Sequence, residues 1–89
     1  MLFIALVRFK QKLTAEIAAE NVKEIERDEQ AGIRYQGIYW TLGAYDSVVL
    51  FEAPDEKAAM KMVLRRADSM EIQTLVAVPG DASSPTGPA

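Results

Sequence analysis

The stretch from Gly37 to Asp55, G-I-Y-W-T-L-G-A-Y-D-S-V-V-L-F-E-A-P-D, restricts the fold of this chain more than any other part of it. Ile33–Leu42 and Asp46–Ala53 are both rich in β-branched and aromatic residues, the composition of strands. Between them lies Gly43-Ala44. A two-residue loop with glycine first suits a type II′ turn, because that position requires φ > 0 and glycine adopts it without a steric penalty. The second arm runs directly into Pro54-Asp55, a helix start. A chain holding a hairpin that feeds a helix has few folds open to it, and the flanking segments decide among them.

Leu2–Phe9 is nearly continuous apolar sequence, as expected of a strand covered on both faces. From the N-cap Thr14 to about Gln30, the residues Ile17, Ala18, Val22 and Ile25 form one helical stripe, with Glu20, Lys23, Glu24 and Arg27 turned away and Gly32 as a stop. The helix opened by Asp55 runs to about Asp68, with acidic residues in its first turn and Arg65-Arg66 near its end. Its apolar set, Ala58, Ala59, Met60, Met62, Val63, Leu64 and Ala67, is unusually wide. Glu71–Val78 is a last strand. Pro79–Ala89 has the composition of a disordered tail, which leaves residues 1–78 as the one domain. The order β-α-β-β-α-β is the split βαβ arrangement of ferredoxin-like α+β folds. Right-handed crossovers then give a four-stranded antiparallel sheet in the order 4-1-3-2 with both helices on one face.

Composition narrows the chemistry. The chain has 89 residues, no cysteine and no histidine, so disulfides, thiol chemistry and the commonest general base and metal ligand are all missing. The expectation is a protein without a metal site and without a cofactor. A net charge of −3 with scattered basic residues gives no stripe for a phosphate backbone, so nucleic acid is not an expected partner. Met1–Val7 is apolar but too short to span a bilayer, lacks a basic flank before it, and is followed by Arg8. It reads as a strand of a cytoplasmic protein with no membrane partner.

The turn fixes the hairpin register. Closing Gly43-Ala44 pairs Leu42 with Tyr45, Thr41 with Asp46, Tyr39 with Val48, Gly37 with Leu50 and Tyr35 with Glu52, and opposed residues share a face. Ile38, Trp40, Val49 and Phe51 then lie under the helices with Phe3, Ala5, Val7 and Phe9, which makes Trp40 a core residue. The helix-free face holds Leu2, Ile4, Leu6 and Arg8 with Tyr35, Tyr39, Asp46, Val48, Leu50 and Glu52. That face is too apolar to be left wet, and it reads as a subunit interface of a homodimer or higher homo-oligomer enclosing a polar chamber. Arg8, late in the first strand, comes near Asp46, early in the third, as an ion pair that either orients a ligand or simply makes burial tolerable. Asp46 can instead bond the backbone of its own turn. Glu52 falls at the other end of the sheet, away from any basic residue of the first strand.

The motifs T-L-G-A-Y-D at Thr41–Asp46, E-A-P-D at Glu52–Asp55 and T-L-V-A at Thr74–Ala77 resemble the GYD domain family, whose hairpin carries a G-x-Y-D turn. The resemblance covers Leu2–Val78. It departs from the family's usual glycine before the last strand, where this chain has Asp68-Ser69-Met70. It implies a ferredoxin-like protomer that associates sheet to sheet, as in the dimeric α+β barrel superfamily, and it implies no established activity. Two functions follow as expectations. In the first, a homo-oligomeric binding or regulatory module holds a small, partly aromatic ligand between Tyr35 and Tyr39, oriented by Arg8, Asp46 or Glu52. In the alternative, a cofactor-independent oxygenase or isomerase uses a buried carboxylate, Asp46 or Glu52, as general base on an acidic C–H.

Overall fold

The computed structural model describes residues 1–80. The expected disorder of the tail beyond Gly80 lies outside the described residues. Six elements follow one another: β1 (Leu2–Phe9), α1 (Ala15–Gln30), β2 (Arg34–Trp40), β3 (Ser47–Glu52), α2 (Glu56–Arg65) and β4 (Met70–Ala77). The sheet is antiparallel throughout with strand order β2-β3-β1-β4, the expected 4-1-3-2 read from the other edge. Among the described residues no helix is long and apolar enough to cross a membrane.

Both helices start where their capping residues place them. Thr14 Oγ1 accepts from Ile17 N, and Asp55 Oδ1 accepts from Ala58 N, each satisfying an amide that has no partner inside its helix. The end of α1 is a Schellman motif: Gly32, at φ +91°, lets its own N–H reach the Glu29 carbonyl while Ile33 N–H reaches that of Asp28. Ile33 is buried directly after it. The helix end is thereby held at one place over the sheet. α2 ends three residues earlier than the sequence suggests. From Arg66 to Met70 the amides turn back on the carbonyls of Val63, Leu64 and Arg66, which tightens the chain and sends the Arg66 side chain inward.

The core lies between the sheet and the helices and is built on Phe3, Ala5, Val7, Phe51, Ala53, Ala59 and Met62. Phe3 stacks on Phe51 with ring centroids 5.3 Å apart. The hairpin pairs Tyr39 with Val48 and Gly37 with Leu50 as the turn arithmetic requires. Below Gly37 it departs: the register shifts, Tyr35 pairs with Phe51 and Arg34 with Glu52. Gln36 is the extra residue of a β-bulge, so Tyr35 lies under the helices and not on the open face. At the other end the ladder closes on Thr41 N–H to the Asp46 carbonyl, leaving Leu42–Tyr45 outside it, so the two-residue turn is not formed. Tyr45 is drawn over the open face, where its hydroxyl donates to Gln73 Oε1 and the Arg8 guanidinium sits 5.2 Å from its ring centre. Gly43 keeps the positive φ expected of it, +101°.

Candidate functional site

The five residues singled out from sequence do not converge. Arg8 Nε donates to the Ala44 carbonyl at 2.5 Å, and Asp46 Oδ2 accepts the Phe9 amide at 2.8 Å, so the two side chains hold the hairpin loop to β1 and are not paired with each other among the described residues. The Asp46 amide adds a third tie, to the Val7 carbonyl. Tyr39 is exposed on the open face with its ring over Gly37, where a Cβ would come within 2.7 Å of it. Glu52 lies at the far end of that face opposite Arg34, also exposed. Tyr35 is on the other side of the sheet altogether.

That other side carries the cavity. A space of about 270 Å³ opens between α1 and the sheet. Phe9, Leu13, Val22, Ile25, Ile38 and Val49 give it an apolar wall, and Met62 of α2 and Arg66 just after it complete the lining. Trp40 stands at its rim. It is 69 % exposed, not a core residue, and its ring lies 6.0 Å from that of Phe9. The expectation failed because the face was read correctly but its cover was not: Trp40 borders the open space between α1 and the sheet instead of packing beneath the helix. Polar groups in the wall are few, namely Asn21, Ser47, the Tyr35 phenol and the Arg66 guanidinium. Ser47 is already committed, donating to the Tyr39 carbonyl.

Beside Arg66 sits a buried ionic cluster. Asp28, fully buried near the end of α1, accepts Tyr35 OH at 2.5 Å and Arg66 Nη2 at 2.6 Å on one oxygen, and the Arg65 guanidinium on the other. Arg66 also reaches the Met62 carbonyl and Tyr35 OH. Glu24, one turn before Asp28, pairs with Arg27 and lies 3.5 Å from Arg65 Nε. Burial, reinforced by the hydrogen bond to Asp28, pushes the Tyr35 phenol far above its ordinary range. Burial pulls Arg66 the other way, but the hydrogen bond to Asp28 and the charges of Tyr35, Asp28 and Glu24 together outweigh it and the guanidinium is held charged. The cluster thus joins α1, α2 and β2 and presents a fixed phenol and guanidinium to the cavity. Sequence reasoning missed it, although a signal was there: Asp28 follows Ile25 by three residues and so lies on the apolar stripe of α1, and Arg65-Arg66 could supply its partners.

The cavity can hold an apolar body of modest size with one hydrogen-bonding group turned inward. A comparison with curated proteins gives no match. The family model described as GYD domain matches residues 3–84, nearly the whole chain, over the same hairpin loop and helix start whose geometry is set out above. The chain belongs to the GYD domain family.

Proposed function

We propose that this protein is a homo-oligomeric small-molecule-binding module whose ligand sits beneath α1, with its apolar part against Phe9, Ile38 and Trp40 and an acceptor group toward Arg66, since the one proton of the Tyr35 phenol is already given to Asp28. The observation that carries this is the cavity itself: about 270 Å³, walled by apolar side chains, with its polar end pre-oriented by the Asp28 cluster. The half-buried apolar set on the open face, Leu2, Ile4, Leu6, Val48 and Leu50, supports association through that face. The enzymatic alternative requires a buried carboxylate free to take a proton. Among the described residues the fully buried carboxylate is Asp28, whose oxygens already accept three donors and which does not line the cavity, so the binding reading is the better supported.

Trp40 is the only tryptophan and stands at the rim, so its emission reports occupancy. Camphor, an apolar cage with one carbonyl, and naphthol are suitable probes. Saturable binding with a blue shift of Trp40 emission is expected, together with a loss of affinity of at least about tenfold in Ala18→Phe, which places a ring in the space. Mass spectrometry of molecules retained by the purified protein identifies the natural occupant. Equal affinity in parent and Ala18→Phe would refute the seat, and a stable monomer by light scattering at micromolar concentration would refute the assembly.

A further inference from the structure

The sheet has two free edges, and they are unlike. On β2 the register breaks at Gln36 just after the charged Arg34, and bulges and charges of this kind discourage pairing with a further strand. β4, at the other edge, is eight residues in unbroken register without proline or glycine, and Glu71 is its only charge. Apolar side chains crowd its helix side: Val76 is 58 % exposed, and Met60 and Leu64 of α2 are 63 % and 65 % exposed. With Thr74 they line a groove of about 320 Å³. At the middle of the strand, Thr74 Oγ1 is buried and has no hydrogen-bond partner among the described residues.

We infer that a second copy of this chain pairs β4 with β4, antiparallel, about a two-fold axis passing through Thr74. The occupant is a second copy because an antiparallel edge is its own complement under a two-fold: length, register and hydrogen-bonding pattern match automatically. The axis at Thr74 sets Ile72 against Val76 of the partner subunit, Gln73 against the partner's Leu75 and Glu71 against the partner's Ala77, so no like charges are opposed. The two Thr74 side chains oppose one another across the axis, and a turn about χ1 brings each hydroxyl out of the chain's own interior to meet the other, one donating and one accepting, which gives Oγ1 the partner it lacks. Both sheets continue into one eight-stranded sheet, with the exposed strips of the two α2 helices meeting on its helix side. This contact is separate from association through the open face, since Thr74 and Val76 point to the helix side.

The absence of cysteine makes the test direct. Directly opposed residues of an antiparallel pair have Cα atoms roughly 4.5–5.5 Å apart, within disulfide reach. Thr74→Cys should form a disulfide-linked dimer under mild oxidation, while Gln36→Cys on the other edge should not. The double variant Val76→Lys, Leu64→Lys alters only exposed side chains and should halve the assembly mass measured by light scattering. A folded Thr74→Cys chain that stays uncrosslinked, or an unchanged mass in the folded lysine variant, overturns the inference. Crosslinking through Gln36→Cys at an equal rate would do the same by showing that the reaction reads collision.

Discussion

Replacing Asp28 by asparagine tests whether the buried cluster is what holds α1 to α2. The parent carboxylate accepts from Tyr35, Arg66 and Arg65, and both it and Arg66 are almost wholly removed from water. Asparagine keeps one acceptor oxygen but removes the charge, which leaves the Arg66 guanidinium buried without a counterion. Breaking a buried pair in this way costs about 3–5 kcal/mol. The chain's total stability is expected to be on the order of 5–15 kcal/mol, so the change is a large fraction of it. In urea, with a slope of roughly 1 kcal/mol per molar for a chain of this size, the midpoint should fall by about 3–5 M at unchanged slope. Two controls scale the argument. Arg65→Gln removes a side chain that is more than one third exposed and should cost at most about 1 kcal/mol. Tyr35→Phe removes one hydrogen bond to a charged acceptor and should cost about 1.5–3 kcal/mol. An Asp28→Asn chain within about 1 kcal/mol of the parent, or an Arg65→Gln chain as destabilised as Asp28→Asn, would show that the cluster does not carry the helix packing.

Gly43→Val should destabilise by roughly 1 kcal/mol or more through the backbone alone, because φ is +101° and no atom lies within 4 Å of where its Cβ would stand; an unchanged melting temperature would refute the conformation. Stability should fall in alkali. The unfolded Tyr35 phenol ionises near pH 10 while the folded one resists, so the unfolded state loses its proton first: this contribution is intact below about pH 10 and is lost progressively above it. Tyr35→Phe should show a shallower alkaline slope in denaturation at stepped pH, and an identical slope would contradict the burial of the phenol. Asp46→Ala should cost about 1 kcal/mol through the lost bond to the Phe9 amide and leave probe affinity unchanged; a selective loss of binding in calorimetry would return the site to the open face.

The sequence was legible where a residue's role is set by its neighbours in the chain. Thr14, Gly32 and Asp55 act as caps or stops, strand parity places Phe3, Ala5, Val7 and Phe51 under the helices, and the element order yields the sheet. It was less legible where distant parts meet. Nothing local marks Gln36 as a bulge; the extra residue turns Tyr35 to the side where it bonds Asp28, seven residues back and across a layer. Arg65-Arg66 read as complements to a helix dipole because their partner lies on another helix. The wide apolar face of α2 divides in the fold into a buried part, Ala59 and Met62, and an exposed part, Met60 and Leu64, along the β4 edge. Arg8 and Asp46 were correctly brought to one end of the sheet, but each found a backbone partner before it could find the other.

The bulge at Gln36 also makes β2 a strand with two parities. Upstream of it odd positions face the helices, downstream they face the open side, so Tyr35 and Tyr39, four residues apart and in step in a regular strand, end on opposite sides of the sheet. Substitutions at the two tyrosines are thereby decoupled: one is read by the helices, the other by whatever meets the open face. A single-residue deletion here would do what no point substitution can, restoring one alternation to the whole strand and carrying either the phenol of Tyr35 out of the Asp28 cluster or Tyr39 into the core. The length of this strand, counted residue by residue, is therefore under tighter constraint than the identity of the exposed glutamine that supplies the extra one.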